Sequence, residues 1–178
     1  MIALLVTFVL FWVPKHDIED WFRLHPDTYS SRAYPLEQFP AYRTFARDIT
    51  AHLQTNDRVA IFGSEPELLF YTGLHSVTGY LYAYPFQENQ PYHTRMFAEY
   101  IREVETAHPE VLIVVANHNS WTGPVLAGSD PVWQWLARYQ QSYELVVRHE
   151  FPLPLNLTDE ERQLLPKEEW VALYRRKS

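Results

Sequence analysis

Two short stretches carry polar, chemically capable side chains directly after apolar runs. Gly63-Ser64-Glu65-Pro66-Glu67 follows Arg58-Val59-Ala60-Ile61-Phe62, and Asn117-His118-Asn119-Ser120 follows Val111-Leu112-Ile113-Val114-Val115-Ala116. In open α/β sheets, ligands bind where strands end and helices begin, and helix N-termini favour anions. Ser64, Glu65, His118 and Asn119 are therefore the candidate ligand-binding residues, and the two turns line one crevice if their strands are neighbours. The chemistry open to them is narrow. No GxGxxG and no Walker lysine accompanies Gly63, and Glu65 and Glu67 would repel a phosphate. Ser120 stands too close in sequence to His118 for a nucleophile–base pair, and there is no G-x-S-x-G elbow. A turn-and-cap role for the first stretch and a structural loop for the second are the plainer readings.

Other chemistry is excluded more firmly. The eight histidines form no HxH or HExxH pair, and His16-Asp17 has no spaced second histidine. There is no cysteine, which removes disulfides, zinc–thiolate sites and thiol catalysis. Glu103 and Glu105, or Glu160 and Glu161, are helical neighbours that do not face each other, so no glycosidase-like carboxylate pair is argued from them. The sequence thus yields no catalytic residue, no metal site and no cofactor. The net charge of −7 argues against a nucleic-acid partner. The one basic cluster, Arg175-Arg176-Lys177, reads as a solvated tail.

The elements that hold these stretches alternate. Residues 40–53 read as a helix with Tyr42, Phe45, Ala46, Ile49 and Leu53 on one face, followed by a strand at 58–62. Gly63 makes a sharp turn. Ser64 caps the next helix, with Glu67 completing a capping box and Gly73 ending it. Residues 75–84 read as a second strand with Tyr80, Tyr82 and Tyr84 on one face. A helix spans 92–107, its Met96, Phe97, Tyr100, Ile101 and Val104 inward. Residues 111–116, apolar throughout, suit a central strand covered on both faces. Asp130 and Pro131 start a further helix, 143–148 is a fourth strand, Thr158 and Glu161 cap a short helix, and 170–174 is a last strand. This order predicts an α/β fold: a three-layer sandwich with a mostly parallel sheet of about five strands, the last antiparallel at an edge. Tyr80, Tyr82, Tyr84 and Phe86 mark a candidate interface, since aromatics are enriched there; core packing beneath a helix competes with that reading. Asn156-Leu157-Thr158 matches a glycosylation sequon, meaningful only in a eukaryotic secretory protein.

The first residues differ in kind. Residues 2–13 are an unbroken apolar run closed by Pro14 and Lys15. The run is shorter than the ~20 residues of a membrane span and lacks the flanks of a signal peptide. Trp12 and Lys15 resemble an interfacial anchor. Half of a membrane helix, a short anchor completed by a partner, and a buried core helix all fit. The membrane readings are preferred, with Phe8, Phe11 and Trp12 in the lipid. The expected organisation is residues 1–14 as a membrane-anchor helix, 15–39 as a connector and 40–178 as an extracytoplasmic α/β domain.

The segments 58–67, Phe70-Tyr71, Ser76-Val77-Thr78-Gly79-Tyr80-Leu81-Tyr82-Ala83-Tyr84-Pro85, Gln90-Pro91-Tyr92, Glu103-Val104-Glu105 with Pro109, Ser120-Trp121, and Trp135 with Tyr139 and Tyr143 together resemble a known family. It is the soluble C-terminal domain of bacterial membrane glycosyltransferases of the dolichyl-phosphate-mannose–protein mannosyltransferase-like family (family 39). The resemblance covers about residues 40–145. It implies the α/β fold and a place on the periplasmic side of the bacterial inner membrane. In that family, catalytic acids lie in a preceding multi-helix membrane domain, to which nothing here corresponds, so no catalytic residue is carried over. The expectation is a non-catalytic accessory or docking subunit of a membrane complex, touching lipid through residues 1–14 and a membrane protein partner. A fragment of a complete transferase and a small-ligand-binding α/β domain are the alternatives.

Overall fold

A computed structural model of the protein describes residues 22–34, 38–122, 125, 127–151 and 169–177. The expected anchor at residues 1–14, with Phe8, Phe11 and Trp12, and the capping box of Thr158 and Glu161 lie outside them. No helix among the described residues is long and apolar enough to cross a membrane. The chain divides into two units, residues 1–40 and 41–178. In the first, Pro26–Ala33 forms helix α1, with the His25 ring nitrogen accepting the Asp27 amide at 3.4 Å and no buried residue.

The second unit is built on one sheet. Helix α2, Phe39–Thr50, buries Tyr42, Phe45, Ala46 and Ile49, the face expected from their spacing. Strand β1, Arg58–Phe62, leads into the short helix α3, Glu67–Thr72, and then β2, His75–Ser76. Helix α3 ends on Gly73 at φ 70, where the missing side chain lets the backbone turn left-handed and bond Leu69 O. Helix α4, His93–Ala107, precedes β3, Val111–Ala116. Helix α5, Pro131–Tyr139, starts as its sequence dictates: the Asp130 carboxylate accepts the Val132 amide at 2.8 Å. Strands β4, Tyr143–Phe151, and β5, Glu169–Arg176, complete the set.

The sheet runs β2-β1-β3-β5-β4. It is mixed: β1 pairs parallel with β2 and β3, while β5 pairs antiparallel with β3 and β4. The last described strand is antiparallel as expected, but it lies between β3 and β4 and not at an edge. The side chains explain the insertion. Trp170, Val171, Ala172 and Leu173 form a continuous apolar run, all buried, that needs cover on both faces. By contrast, β4 carries Glu144, Arg148 and Glu150 and exposes Leu145, which suits an outer strand.

Both faces of the sheet are packed. Ala60, Phe62, Leu112 and Val114 meet Tyr100 and Val104 of α4 and Trp133, Trp135 and Leu136 of α5 on one side. On the other, Val59, Val111, Ile113 and Val115 meet α2 and Leu68 of α3. Every residue of β3 is buried, each large one contributing roughly 1.5–3 kcal/mol.

Two further expectations are corrected. Residues 77–84 are not a strand: β2 stops at Ser76. The Ser76 and Thr78 hydroxyls accept the Thr78 and Tyr80 amides at 3.1 and 3.4 Å, so local bonds replace a ladder. Residues Tyr84–Phe86 then form a single 3-10 turn. Nor is the basic end a solvated tail. Arg175 donates to the buried Asp57 at 2.6 Å, Arg176 to His108 O at 2.5 Å, and Lys177 to Gln141 O at 2.8 Å.

Candidate functional site

Because β1 and β3 are neighbours, the turns that follow them meet. Ser64 and Ser120 are bonded to each other twice: the Ser64 amide donates to Ser120 Oγ at 2.8 Å and Ser64 Oγ donates to Ser120 O at 2.7 Å. Glu65 is buried between them. Its Oε2 accepts the Ser64 amide at 2.7 Å and Ser120 Oγ at 2.9 Å, and its Oε1 faces the Tyr42 hydroxyl at 3.4 Å. Charge-assisted bonds of this kind are the strong ones, and they make an otherwise costly buried carboxylate tolerable.

Gly63 makes this approach possible, and not by an unusual φ. A Cβ there would stand 2.5 Å from Glu65 Oε2 and 2.8 Å from Val115 Cβ. The glycine is needed for space between β1 and β3. Ser64 does not cap α3, whose N-cap is Pro66 with no side-chain bond. Its hydroxyl serves a different loop: the Ala83 and Tyr84 amides donate to Ser64 Oγ at 2.8 and 3.3 Å. The capping-box expectation is thereby overturned, because Ser64 Oγ is occupied by amides distant in sequence.

The second turn is organised by a residue that sequence reasoning missed. Glu169, the first residue of β5, is fully buried. Since β5 runs antiparallel to β3, with Ala116 opposite Trp170, Glu169 arrives at the same end of the sheet. Its Oε1 accepts the His118 amide at 3.0 Å and pairs with His118 Nδ1. Its Oε2 has no hydrogen-bond partner. The only sequence signal was an acidic residue opening an apolar run. Asn119 is held by its backbone, donating to Asn117 Oδ1 at 2.8 Å. The structure thus joins Ser64, Glu65 and Ser120 in one knot and pairs His118 with Glu169 beside it. Among the described residues no group of three or more His, Asp and Glu is placed to hold a metal ion.

The four candidate interface aromatics separate. Phe86 is buried and packs on Tyr100 and Phe97, so it presents no surface. Tyr80 is half-buried, and its hydroxyl donates to Glu99 at 3.0 Å; burial, and then that carboxylate, push its pKa up. Tyr82 is 43% exposed, Leu81 is 52% exposed, and Tyr82 stacks on Tyr84 at 5.2 Å and 20°. Exposed Leu81 and Tyr82, with Tyr84 stacked on Tyr82, give this segment an apolar ledge, and Ser64 holds the backbone amides of residues 83 and 84 beneath it. Two acids of α4 hold neighbouring elements: Glu103 accepts the Gly79 amide at 3.0 Å and Glu105 the Trp135 indole N–H at 3.0 Å.

These features define an α/β domain with an open mixed sheet and a self-bonded polar knot at the strand ends. Compared with models of known families, with curated proteins and with solved structures, the chain matches none.

Proposed function

We propose that the chain is a non-catalytic, membrane-anchored extracytoplasmic docking domain, a three-layer α/β module that receives a membrane protein partner on the ledge of Leu81, Tyr82 and Tyr84. The ledge carries this reading. It exposes apolar area on a backbone pinned by Ser64, so little ordering entropy remains to be lost on binding. The strand-end side chains suit a scaffold: Ser64, Glu65 and Ser120 bond to one another, and Ser120 is fully buried with its hydroxyl spent on the buried Glu65 carboxylate. The charge of −7 favours a partner with a basic rim. Residues 1–14 are the proposed link to the lipid of the bacterial inner membrane, with the domain on the periplasmic side, as the family resemblance implies.

A photo-crosslinking residue at Tyr82 of the full chain, expressed in membranes and purified in detergent, tests this. The expected result is one membrane-protein adduct, lost with Leu81→Ser at unchanged folding. A chain that is monomeric, soluble without detergent and free of adducts would overturn it. One observation favours a second reading, a small-ligand domain: Glu169 Oε2 is buried without a donor beside the strand-end crevice. If Glu65→Gln with His118→Ala changes no bound ligand, that reading falls.

A further inference from the structure

A cavity of about 350 Å³ is lined by the first turns of α4 and α5 and by the 3-10 turn that precedes α4. Phe97, Pro131 and Val132 form its apolar wall, and Gln87, His93, Thr94 and Asp130 supply polar atoms. Ligands can reach these groups: His93 and Thr94 are exposed and Asp130 is half-buried. The hydrogen bonds fix what each group offers. His93 Nδ1 stands 2.7 Å from Gln90 O, and a carbonyl oxygen only accepts, so Nδ1 carries the proton. In the neutral ring Nε2 is then an acceptor, and it takes the Thr94 hydroxyl proton at 3.0 Å. Thr94 Oγ1 is left with lone pairs to offer. Asp130 accepts the Gln87 side-chain amide at 2.7 Å and the Val132 amide at 2.8 Å. Both of these donors are neutral, so the carboxylate keeps its full charge, and such a group has room for about four donors.

We propose that this cavity binds a primary ammonium ion carried on a short apolar body, as in an aralkylamine. The ammonium donates to the Asp130 carboxylate and to Thr94 Oγ1, and the apolar body lies on Phe97, Pro131 and Val132. The donor and acceptor inventory selects this class, because a ligand bearing only acceptors would face acceptors. Two helices begin here, and helix N-termini favour anions. At α5 that preference is met by Asp130 itself, which caps the helix. At α4 it amounts to about half an elementary charge against the whole charge of the carboxylate. The net charge of −7 adds a longer-range attraction for cations. A mostly apolar wall with a few placed polar groups is the common form of a small-molecule site.

The test is NMR on the ¹⁵N-labelled full chain at neutral pH, titrated with phenethylamine, 2-phenylethanol and 3-phenylpropionate. The reporters are the Val132 backbone amide and the Gln87 side-chain amide, both bonded to Asp130. Phenethylamine should give a saturable shift at both. It should bind about fivefold to tenfold more tightly than the alcohol, a charge-assisted bond discounted for the partial exposure of Asp130. Added salt should narrow that gap. Asp130→Asn removes the charge, yet asparagine caps helices as well as aspartate does, so α5 should keep its start. In this variant the amine and the alcohol should bind alike. The comparison of probes on the native chain stands even if the variant fails to fold. Equal affinity for amine and alcohol, tighter binding of 3-phenylpropionate, or an amine preference that survives Asp130→Asn would overturn the proposal.

Discussion

Removing one oxygen atom tests whether Ser64 is the clasp between the strand-end knot and the aromatic ledge. Ser64→Ala deletes a hydroxyl that donates to Ser120 O at 2.7 Å and accepts the Ala83 and Tyr84 amides at 2.8 and 3.3 Å. Each such bond contributes about 1 kcal/mol net. Half-burial of Ser64 lets water recover part of the loss, so the expected cost is about 2–3 kcal/mol of a total of roughly 5–15 kcal/mol. With a urea slope of about 1–3 kcal/mol per molar, the midpoint should fall by roughly 1–2 M. Hydrogen exchange gives a second, local readout: the Ala83 and Tyr84 amides should lose protection before the strand amides of β3 do. Exposed Ser31 in α1, whose hydroxyl bonds Asp27 O, is the control. A midpoint shift under about 0.2 M, with Ala83 and Tyr84 still protected, would refute the clasp.

Two other outcomes follow from geometry already described. Gly63→Ala should cost about 1–3 kcal/mol, as overpacking does, because the new Cβ meets the Val115 Cβ position and the buried Glu65 carboxylate; thermal unfolding reads this. The pair of Arg58 and Glu110 sets an acid dependence. The Arg58 guanidinium, bonded to Glu110 at 3.0 and 3.2 Å, lowers the carboxyl pKa from 4.5 to about 2. A folded value below the unfolded one stabilises above pH 4.5, and that contribution is lost as pH falls toward 2. Urea midpoints measured across that window should decline for the native chain and decline less for Glu110→Gln.

Periodicity made the helices and β3 readable. Tyr42, Phe45, Ala46 and Ile49 repeat at helical spacing and are the buried face of α2, and the unbroken apolar run of β3 is buried throughout. What pattern cannot carry is long-range pairing. The alternation of Tyr80, Tyr82 and Tyr84 imitates a strand, but Ser76 and Thr78 bond the local backbone, and only Tyr82 and Tyr84 reach the ledge. Ser64 and Glu67 have the spacing of a capping box, yet Ser64 is recruited by amides about twenty residues onward. Glu169 was invisible as a site residue because its meaning depends on where β5 enters the sheet. The order β3-β5-β4 is decided by which run is apolar on both faces, a comparison between strands and not a feature of either.

That insertion has a consequence for how the molecule is made. During synthesis the hydrophobic edge of β3 emerges with β1 and β2 on one side and nothing on the other. Strand β4 comes next but has no place beside β3; its partner across eight residue pairs is β5, which leaves the ribosome later. The two halves of the sheet are therefore strangers until residue 176 is free, and the closing step spans the longest loops in the described topology. Such non-local closure is slow and leaves a sticky edge exposed meanwhile. Nascent chains stalled before β5 should remain bound to chaperones, and release should coincide with the arrival of Trp170-Val171-Ala172-Leu173 and not with any earlier strand.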